Sequence, residues 1–375
     1  MSAVTMRKAC EPAPSGSGRG GVVAFLGTAR HRRAMLWATL GGALLAGLFL
    51  LSLFKGAVAL PAGSLLKTLG GLLGDGSLPD TREALILANI RLPRTLLAML
   101  VGAALAVSGA MLQGLFRNPL ADPGLIGVSA GAALAAGITI VFGEKLLAPA
   151  FGRMPFAMLP LGAFVGGLGS TLILYGIATR AGRTSIATMM LAGVALGALS
   201  GALSGFLAYL SDDRQLRDLT FWALGSFSGA SWTKLAAVAP AMIAILVAAP
   251  FLARGLDALA LGEAEAYHLG LPVQRVKAAA ILIAAVAVGA SVAVAGMIGF
   301  VGLVVPHVLR LLLGASHRLL LPFSALGGAV LLLGADIVAR LVVAPAELPI
   351  GILTAAIGAP FFLWLLLRRQ ARPFE

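Results

Sequence analysis

Ionisable side chains inside apolar segments are the first residues that could carry chemistry, because a charge in such surroundings must be paired or functional. Asp336 is the one carboxylate clearly inside a segment of this kind, and Arg340 follows it at the i, i+4 spacing that allows pairing on one helix face. A proton-coupled carrier usually has several buried carboxylates or histidines in a relay. One paired aspartate therefore argues against proton-relay chemistry.

Nucleotide, metal and haem chemistry have little support. The formal G-x-G-x-x-G at Gly16, Gly18 and Gly21 has no strand before it, and no lysine follows a glycine, so no G-x-x-x-x-G-K-[ST] motif exists. The single cysteine, Cys10, suggests no metal cluster. Axial haem ligation is disfavoured because the histidines lie in or near predicted loops and helix ends: His31, His268, His307 and His317. We predict no catalytic residue, no metal site and no cofactor in this chain.

A polar segment, Leu259–Pro272 (LALGEAEAYHLGLP), interrupts the apolar sequence. Two Leu-Gly pairs bracket a run of strong helix formers, Glu263 to Ala266, and Pro272 follows. This pattern predicts a short helix with a glycine stop, lying against a membrane. It is equally compatible with an ordinary interfacial helix and with a docking element for a partner outside the membrane.

The elements that must position these residues are apolar helices. The composition is 59% hydrophobic and only 11% charged, which indicates an all-α polytopic membrane protein. The net charge of +13 comes from scattered Lys and Arg and indicates no nucleic-acid partner. Ten segments are long enough to span a bilayer: 34–54, 95–116, 124–142, 154–179, 186–210, 235–253, 278–298, 300–314, 319–339 and 348–367. Gly296, Gly299 and Gly302 predict a broken or re-entrant piece at the short eighth segment.

The distribution of Lys and Arg predicts that both termini are cytoplasmic, since 17 of the 28 then lie in inside segments. This orientation places the polar segment in the cytoplasm. We predict a disordered cytoplasmic tail over 1–33, a transmembrane domain over 34–369 that includes cytoplasmic helices within 257–273, and a short cytoplasmic tail over 370–375.

Arginines gather beside the predicted outer ends of two segments. Arg91 and Arg94 close the long outer stretch 55–94, and Arg340 lies at the end of the ninth segment. They are compatible with snorkelling to lipid headgroups. They are also compatible with an exposed positive patch for an acidic partner.

Glycine recurs every four residues in the fifth segment, at Gly193, Gly197, Gly201 and Gly205, which we call the glycine stripe. Such a stripe is typical of close helix packing. It could also form a smooth wall beside a solute path, and a sliding helix could serve both purposes.

Three stretches of the sequence form one ordered set of motifs: 91–132, the polar segment, and 296–362. In this order they closely resemble the permease subunits of the FecCD family, type II ABC importers for iron–siderophores, haem and cobalamin. The intervening LAGVALGALSG and FWALGSFSGASW fit as well, so the resemblance extends from about residue 34 to 369. Only the N-terminal tail falls outside it.

The resemblance implies a homodimer of ten-helix subunits in the bacterial inner membrane. Two cytosolic ATPase subunits, which carry ATP and Mg²⁺, would sit below, and a periplasmic binding protein would dock above. Arg91, Arg94 and Arg340 match arginines that pair with the binding protein, and the glycine stripe matches a pathway-lining helix. Residues that match the coupling helices are Gly262, Glu263, Ala266, Leu269 and Gly270. The turn Thr184–Thr188 occupies the place of an inner gate, although its side chains match less well.

The general resemblance favours haem as the substrate, with a ferric siderophore next and cobalamin third. Two other classes stay open from the residues alone. A proton-coupled secondary transporter would need no ATP. A membrane anchor for a cytosolic enzyme would explain the polar segment but not the outer arginines.

Overall fold

A computed structural model describes residues 18–56, 61, 63, 70, 81–146 and 155–370. The chain divides into two units, Met1–Leu40 and the larger Gly41–Glu375, which contains most of the helices. Among its described residues the regular elements are helices and one hairpin, Thr179–Arg180 paired with Arg183–Thr184. The predicted all-α class is therefore confirmed.

Fourteen α-helices are present in the described ranges. In chain order, α1 to α14 are Gly18–Phe54, Arg82–Ile86, Leu92–Leu115, Val128–Leu146, Pro155–Ala178, Ile186–Leu210, Asp213–Leu224, Trp232–Ala248, Ala253–Leu261, Glu263–His268, Val273–Ala295, Val301–Leu313, His317–Val342 and Ile350–Gln370. A π-helical turn, Leu87–Arg91, joins α2 to α3, and 3-10 helices occupy Pro123–Ile126 and Ala249–Leu252.

Each of the ten predicted segments overlaps an apolar helix. Seven helical stretches of the described chain are long and apolar enough to cross a membrane. Three shorter apolar helices match the third, eighth and tenth segments. The polytopic membrane architecture follows from their length and composition. The number of these helices that cross the bilayer stays a prediction.

Helix α3 is the centre of the larger unit and packs against α8, α9, α11, α12 and α13. Glycines allow the closest approaches. A Cβ added at Gly102 would overlap the carbonyl oxygen of Gly328 in α13, and a Cβ at Gly328 would overlap that of Gly102. Gly109 meets the backbone of Gly302 in the same way. Small residues thus let these helix backbones come into direct contact.

The structure departs from the sequence predictions at several places. Residues 18–33 belong to α1, where a disordered tail is predicted; residues 1–17 and 371–375 lie outside the described residues. The second segment begins at Arg82 instead of residue 95, because α2, the π turn and α3 are continuous. Helix α7 was not predicted, although Asp212 and Gln215 form a capping box at its start.

The predicted break before α12 is confirmed. Residues 296–300 are not helical, and Gly296 has a φ of 70°. Phe300 adopts the left-handed conformation at the N-cap of α12. The third glycine of the pattern, Gly302, lies inside α12, where it permits the contact with Gly109.

Candidate functional site

Glycine geometry builds the short helix α10 within the polar segment. Gly262 separates α9 from α10 with a φ of 137°, and Gly270 ends the turn after α10 with a φ of 76°. Both conformations favour glycine, because other residues would bring their Cβ into conflict with the backbone. The predicted short helix with a glycine stop is confirmed as Glu263–His268.

The five residues matched to coupling helices fall into two groups. Leu269 and Gly270 are exposed and Glu263 is half-buried, whereas Ala266 and Gly262 are buried inside the chain. Ala266 can therefore orient α10 but cannot form part of an outward contact face. The exposed face also includes Tyr267, with 73% of its surface accessible, although no sequence pattern marks this residue. Their coupling role stays a prediction.

A buried lysine, Lys277 on α11, links α10 to the hairpin. Its Nζ lies 2.7 Å from Oε1 of Glu263 and 2.7 Å from the carbonyl oxygen of Thr184, to which it donates. The Thr184 N–H donates to Oε1 of Gln274 at 3.0 Å. No sequence pattern pointed to Lys277, since its partners lie 14 and 93 residues away.

An open cavity of about 720 Å³ lies between the hairpin and α10. Its polar lining includes Arg183, Glu263, Tyr267, His268 and Gln274. At the same end of the bundle, Oδ1 of Asp257 in α9 accepts a hydrogen bond of 2.7 Å from the backbone N–H of His317, at the start of α13. This end, which we call the α10 end, thus gathers polar contacts from five elements.

The predicted gate turn, Thr184–Thr188, begins α6 at the α10 end. Ser185 caps the helix by accepting from the Thr188 N–H at 3.2 Å, and the Thr188 hydroxyl donates to Ser185 Oγ at 2.9 Å. The Thr184 hydroxyl lies 3.0 Å from that of Thr179 across the hairpin. A gating role for this turn stays a prediction.

Arg94, at the opposite end of α3, is buried between two carboxylates. Its Nη2 lies 2.8 Å from Oδ1 of Asp336, and its Nη1 lies 2.8 Å from Oε1 of Glu347. Asp336 also pairs with Arg340, from Oδ2 to Nε at 3.1 Å, which confirms the predicted i, i+4 pair. These residues with Arg91 form a group that we call the arginine cluster.

The other two arginines, Arg91 and Arg340, form hydrogen bonds with residues at the C-terminal end of α1. Arg91 donates to the carbonyl oxygens of Leu53 and Phe54, and Arg340 donates to Ser52 Oγ at 2.7 Å. Such donors satisfy the last carbonyl groups of a helix and interact favourably with its dipole. Arg91, Arg94 and Arg340 are 4%, 7% and 5% exposed. The prediction of an exposed patch or of snorkelling is therefore wrong for this conformation, while docking at these residues stays a prediction.

The glycine stripe has two parts. Gly193 is buried, and a Cβ there would overlap the carbonyl oxygen of Leu125 in the 3-10 helix. A Cβ at Gly197, Gly201 or Gly205 would meet nothing within 4 Å. Gly193 is thus a packing residue in the chain, whereas the rest of the stripe forms an open face. Pathway lining by the stripe stays a prediction.

The carboxylate of Asp122, outside the arginine cluster, forms a hydrogen bond with the backbone. Asp122 caps the 3-10 helix that contacts Gly193, its Oδ1 accepting from the Gly124 N–H at 2.7 Å. Burial raises the pKa of the Asp122 carboxyl, and the hydrogen bond from Gly124 opposes that rise. Among the described residues, no group of three or more His, Cys, Asp or Glu side chains could hold a metal ion.

Two relatives in bacterial transport systems are similar over most of their length. The hemin transport system permease protein HmuU of Yersinia pestis is 48% identical over 301 residues, covering 78% of this chain and 86% of that protein. The vitamin B12 import system permease protein BtuC of Salmonella typhi is 46% identical over 296 residues, covering 79% of this chain and 88% of that protein.

A solved structure and a family model agree with these similarities. A metal-chelate type ABC transporter in an inward-facing conformation matches with a TM-score of 0.75 and 34% identity, covering 88% of this chain and 97% of that one. The model of the FecCD transport family matches residues 43–368, which include the α10 end, the arginine cluster and the glycine stripe. The chain therefore belongs to the FecCD transport family.

Proposed function

We propose that this chain is the permease subunit of an ATP-driven importer that moves haem across the bacterial inner membrane. The family match over 43–368 carries the assignment. Haem is placed first because the hemin permease is 48% identical, and cobalamin second because the vitamin B12 permease is 46% identical. A ferric siderophore is the third substrate within the same family.

The energy would come from separate ATPase subunits that bind ATP and Mg²⁺. The exposed face at α10 supports this assignment because Tyr267 and Leu269 present their side chains outward while Ala266 of the same helix is buried against the chain. An exposed tyrosine beside a leucine is a typical anchor of a protein interface. Both chain termini and α10 would lie in the cytoplasm.

The solute path would run along the open face of α6 between two copies of this chain. Gly197, Gly201 and Gly205 leave that face smooth, and Leu191 and Val194 beside them are 74% and 67% exposed. A face that carries no side chain at Gly197, Gly201 and Gly205 leaves room for a bulky planar chelate to pass. Switching would then change which end of the path is open.

A periplasmic binding protein would dock at the arginine cluster. Asp336 pairs with Arg94 and Arg340 there, and Glu347 pairs with Arg94, so these arginines already bind carboxylates of the kind that an acidic partner would present. Glu347 is 33% exposed and could give way to an incoming carboxylate, which would bring Arg94 to the surface of the complex.

Uptake into proteoliposomes tests the proposal. The chain would be reconstituted with its ATPase and binding protein, and haem, a ferric siderophore and cobalamin would be offered separately. We expect haem uptake that requires both ATP and the binding protein. Siderophore or cobalamin uptake would correct the substrate and retain the importer. Uptake driven by a pH gradient without ATP, or no uptake and no bound ATPase, would contradict the proposal.

A further inference from the structure

Lys277 holds a buried positive charge at a junction of three elements. Its side chain is 1% exposed, and a buried ammonium group is costly unless it is paired and hydrogen-bonded. It reaches Glu263, the first residue of α10, and the carbonyl oxygen of Thr184, the last residue of the hairpin. One nitrogen on α11 therefore joins α10 to the hairpin.

Two side chains of α11 form hydrogen bonds with the backbone of Thr184, one with its N–H and one with its carbonyl oxygen. Gln274 accepts from its N–H and Lys277 donates to its carbonyl oxygen. Gln274 and Lys277 are three residues apart and so lie on one face of the helix. Helix α6 begins two residues after Thr184, at Ile186, with Ser185 as its cap. A displacement of Thr184 would therefore displace the start of α6.

We propose that Lys277 is the positioning residue that links α10 to α6, with Gln274 as its second contact on Thr184. The inference rests on the proposed function, in which α10 meets the ATPase and α6 lines the path. Energetic coupling between distant sites is carried by packed, hydrogen-bonded and rigid elements. Here the sequence of contacts is Glu263 to Lys277 to Thr184, and then directly into α6.

The burial pattern separates this link from ATPase docking. Lys277 is inside the chain, while the side chain of Glu263 is 40% exposed. Replacing Lys277 thus removes the link while Tyr267 and Leu269 keep their places on the outward face, and the half-exposed Glu263 can be rehydrated when it loses its partner. The carbonyl oxygen of Thr184 would lose its charge-assisted hydrogen bond, which weakens the hold on the hairpin.

The first experiment compares three variants in the reconstituted importer. Lys277→Met removes both contacts, Lys277→Arg keeps donors for both acceptors, and Arg275→Met removes an exposed cation from the same turn as a control. ATP hydrolysis, substrate uptake and co-purification of the ATPase are measured for each. We expect Lys277→Met to retain the ATPase and hydrolysis but to lose uptake per ATP by about tenfold, a typical size for a coupling residue.

Lys277→Arg should recover most of that loss, and Arg275→Met should keep the wild-type ratio. Unchanged uptake per ATP in Lys277→Met would overturn the inference. Loss of ATPase binding in Lys277→Met would overturn it as well, because the lysine would then support docking instead of transmission.

A second measurement does not depend on transport. Spin labels on the exposed residues Ala264 of α10 and Ala187 of α6 report the distance between the two helices in the full-length chain. We expect a narrow distance distribution in the wild type and in Lys277→Arg, and a broad one in Lys277→Met. Equal widths would overturn the link. Absence of uptake by the wild type, with the widths as expected, would refute the proposed function alone.

Discussion

Asp336 is the residue on which the arginine cluster depends. It is 1% exposed and accepts from Arg94 and Arg340, which are themselves buried. Removing one member of a buried ionic group leaves its partners as uncompensated charges, and this costs more than the intact group contributes. The carboxylate of Glu347 is more accessible, so it contributes less to the stability of the fold.

We predict that Asp336→Asn lowers the free energy of unfolding by about 3 kcal/mol, because two buried guanidinium groups lose their shared anion. Thermal unfolding of the purified protein in detergent measures the change. Glu347→Gln is the control, with an expected cost below about 1 kcal/mol. Equal destabilisation by both variants would show that Asp336 has no special place in the cluster.

Glu347 provides a test of binding-protein docking. If an incoming carboxylate replaces Glu347 beside Arg94, Glu347→Gln should strengthen binding of the binding protein about threefold, since a neutral internal competitor is weaker than a charged one. Affinity is measured on the purified permease with its ATPase. Glu83→Gln on α2 serves as a matched carboxylate replacement and should leave the affinity unchanged. Weaker binding by Glu347→Gln would contradict the exchange.

At the scale of elements, α3 and α13 define the interior through their glycine contact. Gly102→Ala should lower stability by about 2 kcal/mol, because the added methyl group must displace the backbone of α13. The matched variant is Gly169→Ala in α5, where a Cβ meets nothing within 4 Å. Thermal unfolding in detergent compares the two variants. If Gly102→Ala and Gly169→Ala are equally stable, α3 and α13 can move apart at no cost in stability, which would contradict the prediction.

A second prediction at this scale concerns the exposed face of helix α10. Tyr267→Ala should weaken association with the ATPase about tenfold or more, since an exposed aromatic side chain at an interface is a typical centre of binding energy. Co-purification at a series of ATPase concentrations measures the effect. Phe221→Ala on α7, where the side chain is 58% exposed, is the control. Wild-type association by Tyr267→Ala would remove this face from the contact.

At the scale of the whole molecule, the open face of α6 predicts a second copy of the chain. The single cysteine, Cys10, can be replaced by serine so that new cysteines report contacts. In that background Gly201→Cys should give a cross-linked dimer with a short bismaleimide in membranes, because the stripe faces its counterpart across the proposed path. Gly169→Cys in α5 is the control. Equal cross-linking of both, or of neither, would contradict a dimer built on α6.

The sequence by itself determined the features that depend on neighbouring residues. Long apolar runs predicted the positions of the membrane helices, because helix length and hydration are local properties. Glycines flanking strong helix formers predicted α10, and a spacing of four residues predicted the pair of Asp336 with Arg340. The family resemblance also rested on contiguous motifs, and the family match over 43–368 confirms it.

Only the tertiary structure decided which distant residues meet. Arg94 and Asp336 are 242 residues apart, and Lys277 and Thr184 are 93 apart, so no local pattern joins them. The sequence predicts an exposed patch at Arg91, Arg94 and Arg340. These side chains are buried, because helix packing brings the end of α1 and two carboxylates against them. Chain packing fixes such contacts, since the side chains of separate helices become neighbours only when their backbones have approached.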